Sequence, residues 1–428
     1  MSHVPLMSGF RSPLDAYRED LSRAPGRRRL AAGDEFWIIL ATGLRRIAQT
    51  PPRSRRASAH RLARALDALE SDVAKRPGAR MNRTADAKGS GLASLVAGAL
   101  SQFPEPAHAA SLVTHVRATA ADAEEAGAVV LAREILTDLL DLTPHAHALD
   151  RGLILLQLAR VARTLGEHGE AQDYLGAARD LGRSAGVPEI EVRVAGAEAV
   201  LARIRGNYPA ARSLFESALS GAEALHLTDI QGAAHHGLMI VTAEAGDFDA
   251  ALRHGCSALS VARAQGAREA EMLVNLAELC ARMGYDAAAL GASTAAIART
   301  SAPRVRLPAL AGIASAAGRL GDRGRVEMAE GLVASEASDR FPFETARAWL
   351  AVATARRALG DADAAGAAAG KAAAIARAHG YFEIMHHLEQ DSRIPPATLS
   401  SRGRELIRSF EQWSDHPSAD LTLSRSTD

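Results

Sequence analysis

The chain has little cysteine: Cys256 and Cys280 are the only two in 428 residues. Two lone thiols give no disulfide framework and no paired CxxC spacing, which excludes a stapled mini-scaffold and a zinc ribbon. Both are expected to be small buried apolar residues in a reducing compartment. Aromatics are scarce at 4%, whereas alanine makes up roughly a fifth of the chain, a balance that suits close-packed helices and disfavours a β-sandwich. Neither sign of charge dominates. Fifty basic residues meet fifty acidic ones, so bulk electrostatics does not make the whole chain a polyanion binder. Lysine stands only at 75, 88 and 371, and arginine carries almost all the positive charge. Long apolar runs are missing too: "FWIILATGL" at 36–44 falls far short of the roughly 20 residues that span a bilayer. The first residues, "MSHVPLMSGFRSPLDAYRED", hold no basic stretch leading into an apolar core, so no secretory leader is read and a cytoplasmic place is expected.

What the chain has in abundance is a repeated beat. Glycines at 127, 166, 206, 246, 284, 321 and 360 are separated by 39, 40, 40, 38, 37 and 39 residues. A fixed period in this range marks a solenoid. Alanines keep register with those glycines. Five residues after them stand Ala132, Ala171, Ala211, Ala251, Ala289 and Ala365, with Val326 in the remaining place. Seven before stand Ala120, Ala159, Ala199, Ala277, Ala314 and Ala353, with Met239 the exception, and twelve after stand Ala178, Ala218, Ala258, Ala296 and Ala372. A glycine can turn the chain sharply at the end of a helix, and small residues on either side let two antiparallel helices approach closely. Larger residues eight and eleven before the glycine, such as Leu155, Leu158, Leu310, Ile313, Trp349 and Val352, are the expected knobs of the first helix.

"GNYPAARSLFESAL" at 206–219 and "GDFDAALRHGCSAL" at 246–259 carry a resemblance to the tetratricopeptide repeat (TPR). That family has a small residue in mid-helix, a Gly-Asp/Asn-Tyr/Phe turn, an alanine five residues on and another seven later. The period here is near 39 instead of 34 and the closing proline is missing, which is similar to longer repeats of bacterial regulators. The resemblance implies an all-α fold, a right-handed superhelical solenoid of about seven antiparallel hairpins, with a small helical N-terminal region. It is silent on activity.

The expected organisation is a basic helical N-terminal region with linker at 1–88, a capping helix at 89–105, the array at 106–390, a C-terminal capping helix at 391–414 and a disordered tail at 415–428. Residues 1–88 hold 18 basic against 9 acidic residues, opposite in sign to the array. Helices are expected at about 34–49 and 55–76, followed by the linker "RPGARMNRTADAKGSG". Such a head could contact nucleic acid through phosphates or dock on the acidic array. No helix-turn-helix pattern is found in it. In the C-terminal helix, Leu406, Ile407, Phe410 and Trp413 are expected to cover the open face of the last repeat.

No catalytic, cofactor or metal constellation emerges. "GAAAGK" at 366–371 is one residue short of a phosphate loop, continues with Ala372 and lies in a repeat helix. "GRLGDRG" at 318–324 is a repeat turn. His145 and His147 lack two further ligands, and the adjacent pairs His235–His236 and His386–His387 point to different sides of a helix. The chain is therefore read as a non-enzymatic scaffold for a peptide or helical partner, a bacterial regulatory or assembly factor. The alternative is a transcriptional regulator with a DNA-contacting head and a TPR sensor array. In the family resembled, the groove is lined by first-helix residues six, three and two before the turn glycine. Those positions hold Arg160, Arg163, Arg203, Arg282, Arg319 and Arg357, interrupted by Glu244 and Glu278, and His236 joins the set. Arg163 and Arg203 are expected side by side. Two readings of the arginines stand: a solvated face, or a surface that holds an acidic peptide through bidentate guanidinium contacts, which the acidic excess of the array favours.

Overall fold

A computed structural model of the chain describes residues 32–74, 92–103, 109–266, 268–339, 341–389 and 399–415. The expected linker and tail lie outside these residues. Among them are nineteen α-helices and no strand. The chain divides into two compact units, residues 1–190 and 191–428.

The first unit opens with α1 (Ala32–Ala48), α2 (Pro52–Ala74) and α3 (Leu92–Ser101). Two hairpins follow, α4 (Ala109–Glu125) with α5 (Val129–Leu142) and α6 (Ala148–Thr164) with α7 (His168–Ala185). In α1, Phe36, Trp37, Leu40, Leu44 and Ile47 recur at helical spacing, and all are buried. They share one core with Leu66 of α2, Leu100 of α3, and Val116, Ile135, Leu139 and Leu158 of the hairpins. The N-terminal helices are thus built into the array's first core. Their basic residues are partly used there. Arg45 reaches Glu134 at 3.6 Å and Asp138 at 3.7 Å on α5, and Arg55 donates to the Ala48 and Thr50 carbonyls that α1 leaves open at its C-terminus.

The second unit takes most of α8 (Pro188–Ile204), which pairs with α9 (Tyr208–Ala224). Four more hairpins join α10 (Thr228–Glu244) to α11 (Phe248–Gln265), α12 (Glu269–Arg282) to α13 (Asp286–Ile297), α14 (Pro303–Leu320) to α15 (Arg323–Glu336), and α16 (Pro342–Ala358) to α17 (Ala362–His379). A short α18 (Phe382–Glu389) and a separate α19 (Ser401–Asp415) end the described chain.

All seven expected turn glycines have positive φ, between 75° and 82°. At Gly206 the geometry shows why. The Asn207 N–H donates back to the Ala202 carbonyl at 2.9 Å, a six-residue loop that a left-handed residue must close. Equivalent bonds of 2.7–2.9 Å close the other six turns. The next helix starts at once, capped at α9 by the Asn207 side chain, which accepts from the Ala210 N–H at 3.2 Å. Asp247, Asp322 and Asp361 do the same at α11, α15 and α17. Every residue of the three alanine columns is buried, with Val326 and Met239 filling the two exceptional places. So are the knobs Leu155, Leu158, Leu310, Ile313, Trp349 and Val352.

The last helix departs from expectation. Ile407 and Phe410 of α19 are buried and Leu406 is packed beside them, but the main contacts of α19 are with α13 and α11. It does not cap the final repeat. The physical reason is that α18 already packs Ile384, Tyr381 and Met385 against Ala346 and Ala376, which closes that end. The Trp413 side chain lies outside the described residues.

Candidate peptide-binding surface

Repetition places the first helix of each hairpin beside the first helix of the next, so side chains 36 to 40 residues apart in sequence can meet. Two of the expected arginines meet a carboxylate in this way, and Arg319 meets one on the second helix of the preceding hairpin. Arg160 donates to Glu124 at 2.7 Å, Arg282 to Glu244 at 2.6 Å and Arg319 to Asp286 at 2.6 Å. The glutamate read as an interruption at 244 is the partner of one of them. Arg163 is half-buried and engaged as well. Arg163 and Arg203 belong to different units. These guanidiniums tie neighbouring repeats together, each exposed pair contributing about 0–1 kcal/mol.

Three members of the set make no such bond among the described residues: Arg203, His236 and Arg357. Arg357 is exposed on the last full repeat. Arg203 and His236 are half-buried and lie close enough to interact electrostatically. The His236 Nε2 is closed off from solvent and has no hydrogen-bond partner. Burial, with the charges of Arg268 and Arg203, pushes the His236 imidazole down to about 4 despite the opposing charge of Glu271, so the ring is neutral at pH 7. A neutral imidazole can donate or accept at Nε2, depending on its tautomer.

Beside it sits a closed triad that sequence reasoning missed. Glu271 accepts from Arg268 Nε at 2.8 Å and from Arg304 Nη2 at 2.6 Å. Burial alone would push the Glu271 carboxyl up, yet the two guanidiniums hold it below the usual range. Arg268 stands at the N-cap of α12 with φ 62°, an uncommon backbone conformation for a non-glycine residue. Glu271 and Arg304 lie thirteen and seventeen residues before their turn glycines, in the first turns of α12 and α14, whereas the sequence rule looked only at the last turns. Charge alternation between the first turns of adjacent repeats was the available signal.

The result is a strip over α8, α10, α12 and α14. At its α8–α10 end, a half-buried guanidinium without an anion lies near an imidazole nitrogen without a partner. Chemically the half-buried guanidinium favours a carboxylate, which can accept two N–H bonds from Arg203; the enclosed His236 Nε2 can join only if the incoming group opens its cover. On the opposite side of α10, His235 turns into its own hairpin, its Nδ1 3.1 Å from Nδ1 of His254 on α11. The adjacent histidines therefore do point apart. No group of three metal-ligating side chains occurs among the described residues.

No protein-family model matches the chain, and no curated protein does either. Similarity appears in three dimensions. The crystal structure of a Rap protein complexed with Competence and Sporulation Factor is 12% identical, covers 83% of this chain and 99% of its own, and superposes with a TM-score of 0.50. A Signal Transduction ATPase with Numerous Domains from Pyrococcus horikoshii, with a tetratricopeptide repeat sensor, is 11% identical and covers 91% of this chain and 68% of its own, at a TM-score of 0.49. The apo form of RapI is 10% identical, covers 80% and 98%, and scores 0.47. Seven hairpins with a common turn bond and in-register alanine columns, together with the first of these likenesses, make this chain a tetratricopeptide-like helical repeat protein.

Proposed function

We propose that the chain is a non-enzymatic scaffold whose first-helix surface binds a peptide or partner helix, and that Arg203 and His236 receive a carboxylate of that partner. The observation that carries the reading is the unpaired Arg203 near the unpartnered, enclosed Nε2 of His236, on a surface where neighbouring arginines already hold carboxylates. Supporting it, a protein of the same fold was solved with Competence and Sporulation Factor bound. The wider role in this reading is a bacterial regulatory or assembly factor acting in the cytoplasm. No described helix is long and apolar enough to cross a membrane, and the two buried, free thiols fit a reducing compartment. Against a DNA-contacting head stands the internal use of Arg45 and Arg55.

The test is a random-peptide display selection on the intact chain, followed by affinity measurement of the enriched peptides. Peptides rich in Asp or Glu, or binding only with a free C-terminal carboxylate, are expected. Removing a charge-assisted hydrogen bond costs about 1.5–3 kcal/mol, so Arg203→Ala should weaken binding roughly 10- to 100-fold, and Arg203→Lys should restore only part of it. Peptides that bind wild type and Arg203→Ala equally at low salt would remove Arg203 from the site.

A further inference from the structure

Carboxylates and guanidiniums do not match on the first helices of the second unit. All five acidic side chains of α10 and α12 already meet a guanidinium. Arg203 meets no carboxylate among the described residues, and Arg268 and Arg304 share Glu271. Three guanidiniums therefore face one carboxylate, and two positive charges are left without an anion. One of these is Arg203. The other belongs to the Arg268–Arg304 pair, of which Arg268 is the more open: its side chain is 62% exposed, against 42% for Arg304.

Arg268 can serve a second anion without giving up the first. Its Nε donates to Glu271 at 2.8 Å, which fixes one edge of the guanidinium, and its two terminal nitrogens make no bond among the described residues. A guanidinium held in this way keeps four N–H donors in a fixed plane. Register places it relative to Arg203. Counting back from the turn glycines, Arg203 stands at three, His236 at ten and Arg268 at sixteen. Neighbouring first helices lie side by side, as the Arg193–Asp229 and Arg282–Glu244 pairs show. The three residues thus fall on an oblique line from the last turn of α8 to the start of α12, with His236 between the arginines. Both charges act on the His236 ring, so each guanidinium lies within about 10 Å of it. The two arms are on opposite sides of that ring and at most about 20 Å apart. One carboxylate cannot reach both.

We infer that Arg268 is the second anion-binding arm of this surface, and that the partner segment carries two acidic side chains, one for Arg203 and one for Arg268. The second arm rests on the carboxylate contact proposed above for Arg203. The partner is then an extended segment that crosses α8, α10 and α12 obliquely. At about 3.3–3.6 Å per residue, its two acids stand no more than about six residues apart. A single doubly charged group, such as a phosphorylated side chain, satisfies one arm only.

The probe is the tightest binder from a displayed library of random dodecapeptides selected on the full chain, resynthesised with fluorescein and followed by anisotropy. Each Asp or Glu of that peptide is changed in turn to Asn or Gln. Arg203→Ala and Arg268→Ala should each weaken binding at least fivefold, and each loss should vanish with a different acid. A peptide lacking the first acid should no longer respond to Arg203→Ala, and one lacking the second should no longer respond to Arg268→Ala. Arg268→Gly takes the φ of 62° without strain, so it should match Arg268→Ala in affinity and wild type in circular dichroism. If Arg203→Ala lowers affinity and Arg268→Ala does not, the second arm falls and the Arg203 contact stands. If only Arg268→Ala acts, the Arg203 contact falls and the two-armed site with it. Both fall if neither variant acts or if no peptide is enriched. A loss with Arg268→Ala that is equal for every peptide variant would also overturn the second arm, because the side chain would then support the fold and touch no acid of the partner.

Discussion

At Gly318 of α14 one repeat meets the backbone of the next, which makes a simple substitution diagnostic. A Cβ built on Gly318 would sit 2.6 Å from the Ala355 Cα, 2.7 Å from its Cβ and 3.2 Å from its carbonyl oxygen on α16. Ordinary carbon–carbon contact begins near about 3.5 Å. The obstacle is backbone, which cannot swing aside as a side-chain tip can, so α14 and α16 must separate by roughly an ångström to admit one methyl group. Overpacking of this kind costs about 1–3 kcal/mol, against a helix-propensity gain of about 0.5–1 kcal/mol for Gly→Ala. Gly318→Ala should therefore be destabilising by about 1–2 kcal/mol net, a loss of roughly 2–8 °C in Tm for a unit of this size. The same change in α17 should do the opposite. Gly366 and Gly370 are exposed, and a Cβ at either meets no atom within 4 Å. Each Gly→Ala there should stabilise by about 0.5–1 kcal/mol. Urea unfolding followed by far-ultraviolet circular dichroism measures all three. A Gly318→Ala protein at least as stable as wild type, with unaltered slope, would refute the close helix approach on which the repeat packing rests.

Acid should act on the two units in opposite directions. In the second, burial pushes His236 and His254 down to about 4 and His235 in the same direction, whereas unfolded histidines titrate near about 6.5. The unfolded chain binds more protons between those values, so this stability is whole above pH 6.5 and is lost as pH falls towards 4, by at most about 1.4 kcal/mol per pH unit per group and less for the partly exposed His254. In the first, burial pushes Asp122 and Asp138 up to about 6 from 3.8, the folded state holds the extra protons, and acidification from 6 towards 4 adds stability. Hydrogen exchange corrected for intrinsic rates should lose protection in α10 and α11 between pH 7 and 5 while α4 and α5 keep theirs; a uniform loss would contradict it. Asp247→Ala should cost about 1 kcal/mol by removing the α11 cap, with Asp247→Asn retaining most of it in the same urea assay.

The hairpins were legible because their signals are local. Gly206, Asn207 and Ala211 fix a turn bond, a cap and a close contact within six residues; the glycine recurs in all seven turns, the alanine in six and the Asn/Asp cap in four. Helices α1 and α2 were legible for the same reason, their ends falling within a few residues of the expected 34–49 and 55–76. What was not legible depended on distant partners. Nothing in "SRGRELIRSFEQW" indicates that Asp249, about 150 positions earlier, will hold it. An amphipathic face declares that it will be buried, not against what.

The arginines make the same point about the site. Arg203 and Arg282 are alike by sequence: each stands near the end of a first helix, two or three residues before a turn glycine. Their fates differ because the repeat before Arg282 offers Glu244 at 2.6 Å, whereas among the described residues no carboxylate pairs with Arg203. A guanidinium satisfied by the preceding repeat stiffens the array; an unsatisfied one, half-buried near an imidazole nitrogen that water does not reach, holds binding free energy in reserve for an incoming anion. In a repeat protein a candidate binding residue is therefore identified by the missing member of a pair that its neighbours complete. By that criterion, exchanging the two situations should exchange the roles. Glu244→Ala frees Arg282 and should create a new weak carboxylate contact. A glutamate installed by Ala243→Glu can serve Arg203 only if its side chain leaves the buried face of α10, so it should destabilise the hairpin without restoring the pair. Peptide affinity that rose with Glu244→Ala and fell with Arg203→Ala would place the carboxylate contact on this strip. Affinity indifferent to both would remove this strip from the site.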